Sequence, residues 1–283
     1  MDIIKTIFIA IVQGVTEFLP ISSSGHIILF KNLFDLDLDS TFDVFLHLGT
    51  LLAVFVVFIS EIKELVFGLF QKKISSKLFG SSLERKNILK IWLLFLIATI
   101  PAGLSGFFLE DILDIEPSST NKLMFLILAS LFFINAVILL STFYIKSKNK
   151  EKNIKDLSFL EALYIGCFQA IAVLPGISRS GSTVTGSIHI NLNRKDAGRF
   201  SFLLSIPVIL AAFLLKLFKL INSPIPTDNH YILLLIIGVI VSFISGLIAL
   251  KLLLKIIEKG KFWVFSIYMI IPVITSIVLY FIK

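Results

Sequence analysis

The chain has 283 residues, 57% of them hydrophobic and only 16% charged, with a mean hydropathy of +0.97. That balance is far too apolar for a soluble globular domain and makes lipid the solvent of most of the chain. The net charge of +7 does not mark a nucleic-acid binder, because the basic residues lie between hydrophobic stretches, where the positive-inside rule places cytoplasmic loops.

In chain order, the first twenty residues carry Asp2 beside Lys5, then Glu17 and Pro20 where a cleaved signal peptide would carry small residues, so no cleavable leader is expected. Residues 3–33 are apolar at both ends with a polar, Pro- and Gly-containing centre. Such a centre cannot face lipid with its backbone unpaired, so the pattern predicts a re-entrant helical hairpin buried in protein. Full spans follow over 41–60, 88–108 and 122–145, each near the ~20 apolar residues that cross a hydrocarbon core. Residues 159–190 repeat the hairpin pattern, and spans over 197–221, 231–257 and 262–282 complete the chain. The expected fold is an all-α integral membrane protein of one polytopic domain, 1–283, with six transmembrane helices and two re-entrant hairpins. The single Cys167 forms no intramolecular disulfide or metal cluster and is expected to pack.

Loop charge orients the chain. Lys63, Lys72, Lys73, Lys77, Arg85, Lys86 and Lys90 mark one cytoplasmic loop, residues 146–155 a second, and Lys251, Lys255, Lys259 and Lys261 a third. The opposite side carries Asp35, Asp37 and Asp39, then Glu110, Asp111, Asp114 and Glu116, while residues 222–230 contain no Lys or Arg.

An internal repeat emerges when QGVTEFLPISSSG (13–25) is laid without gaps on QAIAVLPGISRSG (169–181), an offset of 156 residues at which Gln, Ile, Ser, Ser and Gly coincide. Three spans separate the copies, an odd number, so the hairpins enter from opposite faces. The repeats, roughly 1–145 and 155–283, are therefore expected to be inverted, with their polar centres meeting near the midplane.

Each hairpin breaks at a proline, Pro20 or Pro175, and its second half-helix begins among serines that can cap it. A helix N-terminus with free N–H groups and a positive dipole end is an anion site. Candidate phosphate ligands are Ser22, Ser24 and Gly25 in the first copy and Ser178, Ser180, Gly181 and Thr183 in the second. Serine and glycine alone would mean only close helix packing. Glu17 and Arg179, however, sit inside apolar stretches where an ionisable side chain costs at least ~2.5–3.5 kcal/mol, so both are functional candidates; the bland alternative is a structural ion pair.

Arg179 offers a permanently charged planar fork that matches phosphate oxygens. Glu17 follows Gln13 by one turn, placing a carboxylate and an amide on one face to orient a nucleophile or hold a divalent cation, Mg²⁺ or Ca²⁺. Ser23 is a candidate nucleophile, and His26, three residues on, a candidate acid–base group or phosphoryl acceptor. His47, His189 and His230 receive no chemical role. The copies diverge: Glu17 matches Val173, Ser23 matches Arg179 and His26 matches Ser182, so one half holds the acid–base groups and the other the cation.

QGVTEFLPISSSGH (13–26) and LPGISRSGST (174–183), with RFSFLLSIP (199–207) and the chain length, resemble the undecaprenyl-diphosphate phosphatase, or bacitracin-resistance, family over essentially the whole sequence. The resemblance implies catalytic roles for Glu17, Ser23, His26 and Arg179. It further implies hydrolysis of undecaprenyl diphosphate to undecaprenyl phosphate and inorganic phosphate, recycling the carrier lipid for peptidoglycan and conferring bacitracin resistance. It also implies a bacterial inner-membrane location, a divalent cation and a homodimer. The first motif position, often Glu in the family, is Gln13 here, which weakens a two-carboxylate metal site. Attack by Ser23, by water, or by His26 all remain compatible with the residues. The rival reading from a different class is a polyprenyl-phosphate transporter or flippase, since broken helices in inverted repeats are common in carriers.

Overall fold

A computed structural model describes residues 2–36, 40–71, 73–76, 81–109, 122–145, 151–221 and 228–283. The acidic Asp37, Asp39, Glu110, Asp111, Asp114 and Glu116 and the basic Lys72, Lys77, Lys146, Lys148 and Lys150 used for orientation lie outside the described residues. Helices run in the order α1 (Ile3–Phe18), α2 (Ser23–Leu33), α3 (Ser40–Val57), α4 (Ile59–Phe67), α5 (Arg85–Phe108), α6 (Leu123–Tyr144), α7 (Phe159–Ile171), α8 (Arg179–His189), α9 (Arg194–Ile221), α10 (Asn229–Glu258), α11 (Phe265–Tyr268) and α12 (Ile270–Ile282).

The chain is an integral membrane protein. The helices Arg85–Phe108, Leu123–Tyr144, Asn229–Glu258 and Phe262–Ile282 are each long and apolar enough to cross a bilayer, and α3 with α4 makes a fifth candidate, bent by 73° at Phe58. The span expected over 41–60 therefore ends in a sharp turn instead of running straight. The outer surface is what lipid requires: Ile232, Ile236, Ile240, Ile244, Ile248 and Leu252 recur every fourth residue along α10 and are all exposed. In the basic loop before α5, Lys73–Ser76 and Ser81–Glu84 pair as a short antiparallel hairpin, β1 and β2, with Lys73 opposite Glu84. One further expectation is corrected. Cys167 is exposed on α7 instead of packed, since the buried residues of that helix are Ala162, Ile165, Gly166 and Gln169.

Both predicted breaks occur. α1 ends at Phe18 and α2 begins at Ser23 across Pro20; α7 ends at Ile171 and α8 begins at Arg179 across Pro175 and Gly176, whose φ of +105° suits only glycine. The paired short helices are held by long ones. α1 packs on α10 and α7 packs on α5; α2 touches α12 and α8 touches α6; α6 and α12 pack on one another, as do α3 and α9.

Between lipid-solvated helices little hydrophobic drive exists, so small residues that let backbones approach take over. A Cβ on Gly14 of α1 would lie 2.6 Å from the Ser242 carbonyl oxygen and 2.8 Å from the Gly246 nitrogen of α10. A Cβ on Gly166 of α7 would lie 2.7 Å from the Ala98 carbonyl oxygen of α5. Pro101 interrupts the hydrogen-bond ladder of α5, and Gln169 Nε2 donates to the Ala98 carbonyl nearby at 3.1 Å. Phe202 meets Phe18 edge-on and stacks on Phe58, with centroids 6.0 and 6.2 Å apart, in a core that draws on both halves of the chain.

Gly14→Ala should lower the thermal unfolding midpoint in detergent, because the new methyl meets backbone that cannot yield cheaply; overpacking of this kind costs about 1–3 kcal/mol. Gly103→Ala on α5, where a Cβ meets nothing within 4 Å, should leave the midpoint unchanged or raise it.

Candidate active site

The two breaks interlock. Ser22 Oγ caps α2 by accepting from the Gly25 N–H at 3.3 Å and, across the fold, accepts from the Gly176 N–H at 3.0 Å. Ser178 Oγ caps α8 in the same register, accepting from the Gly181 N–H at 3.1 Å. Glycine occupies the third position of both half-helices, where the approach is close. A Cβ on Gly25 would lie 3.0 Å from the Gly176 Cα, and a Cβ on Gly181 would lie 3.1 Å from the Pro20 Cβ. Ser180 Oγ donates to the Phe18 carbonyl at 2.8 Å, closing the end of α1 against the start of α8.

This framework brings Glu17 and Arg179 together although 162 residues separate them: Arg179 Nη2 donates to Glu17 Oε1 at 2.9 Å. The other carboxylate oxygen, Oε2, accepts from Ser23 Oγ at 2.7 Å and from Gln13 Nε2 at 3.1 Å. The Glu17 and Arg179 side chains are only 8% and 15% exposed, so the charges are withdrawn from water and are tolerable only as a pair. Their coordination is nonetheless incomplete. Arg179 Nη1 and Gln13 Oε1 are buried without a hydrogen-bond partner. Ser23 opens α2 and Arg179 opens α8, so the first N–H groups of both helices have no intrahelical acceptor.

His47 joins the group from α3. Its Nδ1 donates to the Asp43 carbonyl at 2.8 Å, which turns Nε2 toward Glu17 Oε2 at 3.7 Å. Its place here is not legible in the sequence, because one histidine in an apolar span carries no local pattern.

Other expected residues are engaged elsewhere. His26 is buried, with Nδ1 against the Ser22 carbonyl at 2.8 Å and Nε2 on the Tyr268 hydroxyl at 3.0 Å, and it stacks on the Tyr268 ring. A carbonyl only accepts, so Nδ1 carries a proton, and in the neutral ring Nε2 accepts from the Tyr268 hydroxyl. Neither nitrogen bonds to Glu17 or Ser23. Ser22, Ser178 and Ser180 direct their hydroxyls into the framework, and Thr183 bonds to the Arg179 carbonyl and to Ser201. Ser24 is exposed, its hydroxyl 3.4 Å from that of Ser22. Two partners were passed over in the sequence. Asn135, the lone amide in the middle of α6, could have been suspected on the logic that singled out Glu17; Tyr268 gives no sequence signal.

Among the described residues no group of three His, Cys, Asp or Glu side chains could hold a metal ion. Both oxygens of Glu17 already accept from donors, and Gln13 Oε1 is the unpartnered protein oxygen beside them. The residues fit a cation brought in on a diphosphate, with Gln13 and Glu17 as supplementary ligands, and do not fit a protein-only cage.

The sequence matches the family model described as bacitracin resistance protein BacA over residues 6–275. It is 38% identical over 284 residues to the undecaprenyl-diphosphatase of Halothermothrix orenii, covering 99% of this chain and 98% of that protein. It is 36% identical over 289 residues to the undecaprenyl-diphosphatase of Methanosphaera stadtmanae, covering 99% and 100%. With the undecaprenyl-diphosphatase of Thermosipho africanus it shares 38% identity over 271 residues, covering 95% and 97%.

Ser22→Ala removes the acceptor for two buried N–H groups, a loss of about 1–3 kcal/mol, and should lower the unfolding midpoint. Ser24→Ala, at an exposed position, should not. Equal midpoints for the two variants would contradict the framework role of Ser22.

Proposed function

The chain belongs to the bacitracin resistance protein BacA family, and from that premise we propose that it hydrolyses undecaprenyl diphosphate to undecaprenyl phosphate and inorganic phosphate. The reaction recycles the lipid carrier of cell-wall synthesis in the bacterial inner membrane and confers resistance to bacitracin. The observation that carries the site assignment is the Glu17 carboxylate, which accepts from a serine hydroxyl on one oxygen and from a guanidinium on the other.

In this reading the diphosphate enters between the N-termini of α2 and α8. Arg179 turns its unpartnered Nη1 to a terminal phosphate oxygen and, with the backbone N–H groups, stabilises charge on the transferring group. Ser23 Oγ attacks the terminal phosphorus while its proton passes to Glu17, and the bond to the bridging oxygen breaks, leaving undecaprenyl phosphate. Glu17 hands that proton to the departing phosphate oxygen and, a carboxylate again, takes a proton from a water that attacks the phosphoserine; the Oγ–P bond breaks, the proton returns to Ser23 Oγ, and inorganic phosphate leaves. Ser23 is favoured over His26 as the nucleophile because its hydroxyl lies on Glu17, whereas both imidazole nitrogens of His26 are engaged away from it. Gln13 and Glu17 would hold a divalent cation arriving with the substrate, whose chemistry is to offset diphosphate charge.

The architecture belongs to the same proposal: two inverted halves, each a broken hairpin followed by its spans. Support comes from reciprocity. α1 on α10 answers α7 on α5, α2 on α12 answers α8 on α6, and the Ser22–Gly25 cap answers Ser178–Gly181 at the 156-residue offset of the sequence repeat. A carrier could share that symmetry, but it has no need for a serine hydroxyl held on a carboxylate.

Purified wild-type protein in detergent should release phosphate from the C55 diphosphate. Arg179→Lys, Glu17→Gln and Ser23→Ala should each fall at least about a hundredfold, the scale of losing one transition-state donor. A carrier would be inactive in detergent and give signal only across a sealed membrane. Unchanged rates in a folded Ser23→Ala variant would move the attack to water.

A further inference from the structure

We infer that Asn135 is a positioning residue that fixes the spacing between Glu17 and Arg179; this deepens the phosphatase reading and rests on it. Asn135 lies in the middle of α6 and is fully buried. Ser130 and Thr142 on the same helix turn their hydroxyls back to their own helix, to the Leu126 and Leu139 carbonyls. Asn135 does not. Its Nδ2 donates to the Pro20 carbonyl at 3.0 Å and reaches Met269 Sδ at 3.5 Å, while its Oδ1 accepts from the Ser178 N–H at 3.1 Å.

Those two backbone groups are among the ones the breaks leave without helical partners. Pro20 stands between α1 and α2, three residues after Glu17, and Ser178 is the residue immediately before Arg179. A primary amide presents one donor and one acceptor on adjacent atoms, so a single side chain answers an orphan carbonyl of one hairpin and an orphan N–H of the other. Met269, the third contact, adjoins Tyr268, whose hydroxyl holds His26.

The need for such a strut follows from the chemistry. The Glu17–Arg179 bond joins the hairpins through the very groups the substrate must engage, so it loosens whenever a phosphate draws the guanidinium away. The Asn135 bonds, together with Ser22 on Gly176, involve no reacting group and persist through the cycle. They keep the hydroxyl of Ser23 and the fork of Arg179 at one separation while the ion pair opens. Misplacement by about 1 Å at a reacting centre can cost on the order of a hundredfold in rate.

The test compares wild type, Asn135→Leu and Asn135→Asp in detergent, with kcat and KM for C55 diphosphate measured per folded protein across pH. Leu removes both hydrogen bonds at similar volume. Asp has the same shape and can donate to the Pro20 carbonyl only in its protonated form. The expected result is a fall in kcat of about tenfold or more for the Leu variant with KM within about threefold, and an Asp variant whose kcat relative to wild type rises as pH falls. A Leu variant within twofold of wild type, a loss confined to KM, or a loss fully accounted for by the unfolded fraction overturns the inference. Should the Leu variant fail to fold, a pH-independent Asp ratio overturns it. Wild type inactive on C55 diphosphate sinks the phosphatase reading and this inference with it, whereas active wild type with unaffected variants sinks this inference alone.

Discussion

The contact between Glu17 and Arg179 is the constraint on which the remainder of the structure depends. Either charge alone in an apolar segment costs several kcal/mol, and stripping one partner from a buried pair leaves the other uncompensated. Each hairpin therefore makes the other tolerable: the carboxylate arrives on α1 near the start of the chain, the guanidinium on α8 well past its middle. A purely structural pair would be closed on itself. This one is open, with a serine hydroxyl and an amide on the carboxylate and a buried guanidinium nitrogen left without a partner. An anion with several oxygens is what such a cluster lacks.

Holding two charges at one place requires breaking two helices there, and a break inside a membrane exposes backbone that lipid cannot satisfy. The serines answer this first need before any chemistry. Ser22, Ser178 and Ser180 cap the half-helices and tie each break to the other. Ser22 does so at a φ of +71°, a conformation side-chain-bearing residues rarely adopt, and its two accepted hydrogen bonds hold it there. With these hydroxyls consumed, the groups left for a ligand are Ser23, the guanidinium and the first N–H groups of α2 and α8. Hydroxyl-rich motifs thus overstate the number of phosphate ligands, because most of the hydroxyls are replacing water for the backbone.

The sequence made the hairpins, their break points, the capping residues and the Glu17–Arg179 encounter legible, since each rests on a local rule: periodicity, proline, capping or the cost of a buried charge. It misjudged what depends on partners distant in the chain. His26 looked like a neighbour of Ser23 from helical spacing, yet Tyr268, 242 residues away, takes its free nitrogen. The bend at Phe58 and the exposure of Cys167 also escaped it, because no proline or glycine marks the first and an apolar thiol faces protein and lipid equally well. Gln169 shows the same limit from the other side. It matches Gln13 in the repeat, but its amide serves the Ala98 carbonyl next to Pro101, whereas that of Gln13 serves Glu17.

That divergence lets two similar helix breaks carry different groups. Positions that solve the backbone problem are the same in both copies: serine at 22 and 178, glycine at 25 and 181. Positions that carry the charges differ, with Glu17 matched by Val173 and Ser23 by Arg179. Two identical copies would place either two carboxylates or two guanidinium groups side by side, and like charges at such range repel strongly where little water screens them. Keeping the acid and the hydroxyl in one half and the cation in the other turns that repulsion into the attraction that closes the fold. It also leaves the cluster polar, with a carboxylate and a hydroxyl on one side and a guanidinium on the other.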